Sequence, residues 1–441
     1  MTEGRPVADV SFWEAFRVWV KIAALSFGGP TGQISVMHQI LVEEKRWISE
    51  NRFLHALNYC MLLPGPEAQQ LAIYIGWLLH GTRGGLVAGT LFVLPGFISI
   101  LALSIVYARF EGVRAVEALF FGLKPAVIVI VVDAVIRIGR RALQNAVMVS
   151  LAAAAFVAIF FGDVPFPLIV AGAAVIGYLG GRIWPKQFYV VKGSPVTESS
   201  EVVVADSATV GGCPTMERAL RVLTVGLSLW FGPQIVLGFT LGWNHVYVQE
   251  GLFFSKAAAV TFGGAYAVLA YIAQQAVENY GWLRPGEMLD ALGMAETTPG
   301  PLIQVVQFVG FMGAYRSSGN LDPTFAGLLG SIITTWVTFV PSFLWIFLGA
   351  PYIEYLRGNK SLSTALSAIT AAVVGVVLNL AVWFAMRTLF AKPGDLGTID
   401  VMSVLITIGA FLAMFRFKFG IIQTLAYSVV VGATYYLVIR T

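Results

Sequence analysis

"LLPGPEAQQLAIYIGW" occupies residues 62–77 and "TTPGPLIQVVQFVGF" occupies 297–311. Each sets Pro-Gly-Pro inside a run apolar enough to lie in lipid. Proline lacks an amide donor and its ring clashes with the preceding turn, so it interrupts a helix interior at about 3 kcal/mol. Inside a bilayer the freed amides and carbonyls find no water. Such a break persists where the backbone lines a cavity or meets a polar partner. For one proline, a kink that eases packing is the plainer explanation; the same three residues twice, at equivalent places, favour a site.

The spacing predicts how that site is built. The first half-helix stops before Pro64, Gly65 supplies an unusual backbone conformation, and Pro66 takes the first position of a new helix. The amides of Glu67, Ala68 and Gln69 then point unpaired from a positive helix end, a natural place for an anion. Leu302, Ile303 and Gln304 repeat the arrangement after Pro299-Gly300-Pro301.

Composition says what solvates the chain. Of 441 residues, 57% are hydrophobic and 12% charged, with mean hydropathy +0.78. Soluble chains carry roughly 25% charged residues. Apolar stretches of about 20 residues recur along most of the length, the pattern of transmembrane helices. The net charge of +4 is modest and the basic residues sit in short loops, which gives no support to a nucleic-acid partner. Cys60 and Cys213 stand far apart without CxxC or histidine spacing, so neither a disulfide framework nor a metal site is indicated. The opening "MTEGRPVADVSFWEAF" does not read as a cleaved signal peptide. The expectation is an all-α polytopic protein of a bacterial-type inner (plasma) membrane, its N-terminus in the cytoplasm.

The chain repeats itself. Phe27-Gly28-Gly29 recurs as Phe262-Gly263-Gly264, 235 residues later. The same shift carries Lys21 onto Lys256, Trp47 onto Trp282, Pro64-Gly65-Pro66 onto Pro299-Gly300-Pro301, and Gln69 onto Gln304. Pro95 pairs with Pro341 and Asp133 with Asn379 at a shift of 246. A constant shift through several rare residues reads as duplication. The expected organisation is a first repeat at 1–184, a polar linker at 185–218, an extra transmembrane helix at 219–250 and a second repeat at 251–441. One unpaired helix between the copies reverses the second against the first. Inverted-topology repeats with broken helices are an architecture of secondary transporters. Lys45, Arg46 and Arg52 fit the positive-inside pattern only if segments 11–40 and 53–80 are both re-entrant, and the sequence leaves that open.

Further residues join the candidate site. Gly28-Gly29-Pro30 and Gly263-Gly264 suit either close helix packing or a second pair of breaks, with Thr31, Gln33 and Thr261 as added donors. Lys21 and Lys256 precede the glycines by one to two turns, roughly 10 Å along a helix. An ammonium there would suit a dianion, with snorkelling to the interface as the alternative. Glu67, whose repeat position is Leu302, is either a helix cap or a group that takes up a proton as an anion approaches. Gln69, Gln70 and Gln304 offer amide donors that hold an oxyanion less tightly than Arg. Asp133 and Lys124 read as a structural pair, and Trp77, Trp184, Trp282 and Trp336 as an interface belt.

At these residues the sequence resembles a chromate transporter of the long-chain, two-domain type in the chromate ion transporter family. The matching pieces are "SFGGPTGQISVMHQILVEEKRWISENRFLHALNYCMLLPGPEAQQLAIYIGW" (26–77) and "VTFGGAYAVLAYIAQQAVENYGWLRPGEMLDALGMAETTPGPLIQVVQFVGF" (260–311). The resemblance spans nearly all of the chain outside the linker. It implies efflux of chromate, with sulfate as the structural analogue, driven by the proton gradient or the membrane potential. Its motif positions are Gly28, Gly29, Pro30, Gln33, Pro64, Gly65, Pro66, Glu67 and Gln69 in the first half. In the second they are Gly263, Gly264, Thr297, Thr298, Pro299, Gly300 and Pro301. The resemblance also expects a proline some residues after the second Gly-Gly, where this chain has Ala270 before Tyr271.

The expected function is therefore secondary active efflux of chromate conferring chromate resistance, with sulfate or another oxyanion, moved inward, as the alternative. The expected partners are chromate, protons as coupling ion, the lipid bilayer and a second copy of the chain. An intramembrane enzyme would need paired acids, a Ser–His arrangement or HExxH within the spans, and a nucleotide-driven pump would need GxxxxGK[ST]; neither pattern occurs. No cofactor is expected.

Overall fold

A computed structural model describes residues 10–27, 29–61, 63–188, 215–262, 265–350, 360–390 and 395–439, the side chains at 267, 360–362 and 396 excepted. These residues are overwhelmingly helical, as a chain whose backbone must bond internally within lipid requires. The first half holds α1 (Phe12–Leu25), α2 (Gly29–His38, continued by a π turn, Gln39–Glu44), α3 (Glu50–Cys60), α4 (Glu67–Arg109), α5 (Arg114–Ala142), α6 (Ala146–Gly162), α7 (Phe166–Ile183) and the short α8 (Pro185–Phe188). After the stretch 189–214, which lies outside the described residues, comes α9 (Met216–Leu241). The second half holds α10 (Val246–Ala259), α11 (Ala265–Gln274), α12 (Glu287–Thr297), a 3₁₀ turn (Leu302–Gln304), α13 (Val305–Arg316), α14 (Pro323–Gly349), α15 (Lys360–Leu389), α16 (Val401–Phe411) and α17 (Ile421–Val438). Among the described residues seven helices are long and apolar enough to cross a membrane.

The 43 residues of α4 would make a rod of about 65 Å, twice the ~30 Å hydrocarbon core. The rod is broken. His80 (φ −138°, ψ 26°) and Gly81 (φ 60°, ψ −152°) leave the helical region and turn the chain back. The arms 67–79 and 82–109 then press together where Gly76 meets Gly84, so closely that a methyl group on either would strike the other's carbonyl oxygen. The pieces α1, α3, α10 and α12 run 11–14 residues each, too short to cross alone at 1.5 Å per residue.

The halves interlock by exchange. Helix α5 packs against α15, α16 and α17 of the second half, while α15 packs against α5, α6 and α7 of the first. Helix α9 has no counterpart and packs on α14 and α10. It leaves Val236 and Phe239 exposed as lipid-facing side chains do. Helix α10 starts at Val246, so 246–250 belong to the first helix of the second half rather than to the extra helix.

Two expectations are corrected. Asp133 pairs with Arg137 one turn onward, and Lys124 reaches Asp290 at 3.4 Å, so Asp133 and Lys124 are not partners. Nine residues separate these two on one helix, and each finds an opposite charge nearer. Trp77 and Trp282 are buried rather than belted at the interface, Trp282 stacking on Tyr280 at 4.2 Å; Trp184 and Trp336 are exposed.

Candidate functional site

Both Pro-Gly-Pro motifs break their helices as the spacing predicts. Helix α3 ends at Cys60 and α4 starts at Glu67. Pro66 is the extended residue before that start (φ −74°, ψ 107°) instead of the first helical residue, and Pro301 does the same for the 3₁₀ turn. Gly65 has φ +122° and Gly300 φ +107°, a region that disfavours any side chain.

Each break is held by the other half. The Gly65 amide donates to the Thr261 carbonyl at 2.8 Å, and the Gly300 amide donates to the Ser26 carbonyl at 2.9 Å. Ser26 and Thr261 are repeat partners at the 235-residue shift, so these are one bond made twice. The long helices continue the exchange. A Cβ on Gly300 would lie 3.0 Å from Gly96 Cα in α4, and one on Gly65 would lie 3.1 Å from Ser342 Oγ in α14. Gly96 and Ser342 directly follow Pro95 and Pro341, the prolines paired at the 246-residue shift. Each motif therefore sits beside the proline position of the opposite half's long helix.

The glutamines repair the breaks. Gln33 Nε2 donates to the Gly300 carbonyl at 2.5 Å, and Gln70 Nε2 donates to the Pro64 carbonyl at 2.8 Å. Gln304 Nε2 donates to Gln307 Oε1 (2.6 Å) and Thr335 Oγ1 (3.2 Å), and Gln307 Nε2 donates to the Phe97 carbonyl. These amides are committed to protein acceptors. Gln69 differs: it is 0% exposed and neither its nitrogen nor its oxygen has a hydrogen-bond partner.

Where the breaks meet lies a small cavity of about 10 Å³, room for about one water. Pro30 and Gln33 of α2 line it, with Pro66, Glu67 and Ala68 at the start of α4, Thr261 and Ala265 around the start of α11, and Pro301, Leu302 and Ile303 at the 3₁₀ turn. Helices α2, α4 and α11 and the 3₁₀ turn thus bring their N-terminal ends to one place. Those ends carry partial positive charge and unpaired amides, which suits an anion. Glu67 is half-buried on the same wall.

The remaining expected residues are placed as follows. Gly29 opens α2 with φ +69°. Gly28, Gly263 and Gly264 lie outside the described residues. Thr31 is exposed and does not line the cavity. The hydroxyls of Thr261, Thr297 and Thr298 donate back to carbonyls of their own helices, at Ala257, at Gly293 and Met294, and at Ala295. Lys21 is 54% exposed and paired with Glu44 at 3.3 Å, and Lys256 is exposed. Neither lysine is brought to the cavity. The buried face of α1 is Ala15, Val18, Trp19, Ile22 and Ala23, and Lys21 falls on the opposite stripe. Sequence reasoning missed Ser26, Gly96 and Ser342, although the two repeat shifts pointed at all three, and it gave Ala265 no role.

A sequence profile described as "Chromate transporter" matches residues 13–178 and 248–433, one region in each half, leaving α9 outside both. The chain is 30% identical over 381 residues to a chromate transport protein of Pseudomonas aeruginosa, covering 85% of this chain and 81% of the other. It is 27% identical over 391 residues to a chromate transport protein of Cupriavidus metallidurans, covering 88% and 86%. An uncharacterized transporter of Bacillus subtilis is 27% identical over 120 residues, 27% of this chain but 67% of its own. No solved structure matches the chain.

Proposed function

The chain belongs to the chromate transporter family, and from that premise we propose that it carries chromate, a tetrahedral dianion, out of the cytoplasm across the inner membrane. In this reading the protein is a secondary transporter, not an enzyme, driven by the proton gradient or the membrane potential, and its efflux confers resistance. The observation that carries it is the meeting of four helix N-termini at one cavity, enforced by the reciprocal Gly65–Thr261 and Gly300–Ser26 bonds.

The backbone amides after Pro66 and Pro301 are the donors for the oxyanion, and Gln69, which follows the lining residue Ala68 without itself lining the cavity, holds an amide that protein acceptors leave free once the space opens. Among the described residues no lysine or arginine lines the cavity, which lets the dianion leave again, because amide dipoles bind it less tightly than a fixed cation. At about 10 Å³ the cavity is smaller than a tetrahedral oxyanion. Binding therefore requires the two breaks to part. Because each is tied to the other half, rocking of one repeat against the other is the motion that opens the space.

Labelled chromate flux in everted membrane vesicles tests this, with proton and voltage gradients imposed separately and sulfate as competitor. Flux that depends on the protein and falls at least about tenfold with Pro66→Leu at equal expression is the expected result. Equal flux with the variant would remove the site, and stronger flux of sulfate than of chromate would replace chromate as the substrate.

A further inference from the structure

A buried carboxylate sits just behind the cavity and has no counterpart in the first half. Glu296 lies near the C-terminal end of α12, three residues before Pro299, and is 2% exposed. The Tyr266 hydroxyl donates to its Oε1, and its Oε2 is buried with no hydrogen-bond partner. Tyr266 directly follows Ala265, which lines the cavity. At the 235-residue shift the corresponding positions are Met61 and Thr31, so the acid and the phenol belong to one half alone.

A carboxylate there is poorly placed for structure. The C-terminal end of a helix repels negative charge, and burying a charged oxygen without a donor costs free energy. Ionisable groups inside membrane helices that persist against such costs usually serve a proton or ion path. The charges whose fields reach Glu296 include Asp133 and Arg137 of α5, an ion pair that is itself partly exposed. Glu67 of α4, which also packs on α12, faces the cavity itself, and several other charged groups nearby are engaged elsewhere. On α12 itself, Asp290 bonds Lys124 and Tyr107, and Glu287 bonds Arg316 of α13. Glu111 of the segment after α4 pairs with Arg284, and Tyr436 of α17 bonds Glu117.

We propose that Glu296 is the proton-carrying residue of this transporter, exchanging a proton with water at Oε2 while Tyr266 holds Oε1 beside the anion cavity. On uptake a hydronium ion gives up one O–H bond as the Oε2–H bond forms, which neutralises the carboxylate and leaves water; on release the Oε2–H bond breaks, water takes the proton and the charge returns, the Tyr266 hydrogen bond to Oε1 staying in place. Glu296 lies on α12, which leads into the Pro-Gly-Pro break whose last residue, Pro301, lines the cavity. Loss of charge at Glu296 is thereby coupled to the position of Pro299–Pro301. The proposal rests on the transport reading above and assigns its coupling ion.

The test uses the purified full chain in liposomes and two measurements with labelled chromate: counterflow exchange without a gradient, and uphill accumulation driven by a pH gradient. In Glu296→Gln, accumulation falls at least about tenfold while counterflow stays within about threefold of wild type. Accumulation at the wild-type level in that variant overturns the proposal. If Glu296→Gln loses counterflow as well, Tyr266→Phe decides: it keeps counterflow and moves the pH midpoint of accumulation by about half a unit or more, and an unmoved midpoint overturns the assignment. Wild-type protein without chromate counterflow would instead overturn the transport reading itself, and the proposal with it.

Discussion

Gly65 gives its amide to the carbonyl of Thr261, on the far half of the chain, and 235 residues later Gly300 does the same for Ser26. Each break takes a backbone bond from the other repeat. The free energy that holds one motif in place is contributed by the other, so damage to either half should reach the site as a whole.

Substituting the glycines tests that coupling. Gly65→Ala and Gly300→Ala each force a side chain into positive φ, at a cost of about 1–2 kcal/mol. Gly300→Ala is the more damaging, because its new methyl meets the Gly96 backbone at 3.0 Å, whereas at Gly65 the nearest atom is the movable Gln70 Nε2 at 2.8 Å. Thermal unfolding in detergent should rank the two in that order. Chromate flux should fall in both.

The two buried glutamines separate structure from binding. Gln33→Leu strands the Gly300 carbonyl and is expected to lower stability by about 1–3 kcal/mol. Gln69→Leu removes an amide with no protein partner, so stability should hold or rise while chromate flux drops. Parallel unfolding and flux measurements check both; a Gln69→Leu protein with full flux would take Gln69 out of the site.

The lysines should matter little. Lys21 and Lys256 are exposed, and an exposed pair such as Lys21–Glu44 is worth about 0–1 kcal/mol. Lys21→Ala and Lys256→Ala are expected to keep chromate flux within about twofold of wild type. A loss of an order of magnitude in either would bring an ammonium back into the binding site.

The Lys124–Asp290 pair predicts a rescue. Asp290 is 2% exposed and bonded by Lys124 (3.4 Å) and Tyr107 (3.0 Å). Lys124→Met alone leaves a buried charge short of its partner and should cost about 3–5 kcal/mol. Adding Asp290→Leu should recover most of that loss, since apolar replacements of a buried pair are often neutral. Unfolding of the single and double variants measures the difference.

Much of this protein was legible before its structure. The recurrence of Pro-Gly-Pro located two breaks in the helical pattern, whereas single prolines such as Pro95 and Pro341 lie inside α4 and α14 without ending them. The repeat shifts also carried Ser26 onto Thr261 and Gly96 onto Ser342, a signal present but unread. The glutamines were legible as polar groups within apolar spans. Their acceptors were not, because Gln33 and Gly300 lie 267 residues apart and no local pattern joins them. Lys21 shows the limit most plainly: proximity along the helix suggested the cavity, and only the direction of the buried stripe sent it outward.

The sequence by itself determined that the chain is helical, lies in lipid, is duplicated, and is interrupted at the same place in each copy. Those properties follow from local chemistry: apolar runs, missing donors, and glycine where φ is positive. Tertiary structure decided which half bonds which break, that the amides of Gln33 and Gln70 bond the backbone, and that Glu296 is buried against Tyr266, next to the cavity residue Ala265. Each of these depends on how two halves distant in sequence pack together, and packing is a property of surfaces in contact that no single stretch contains.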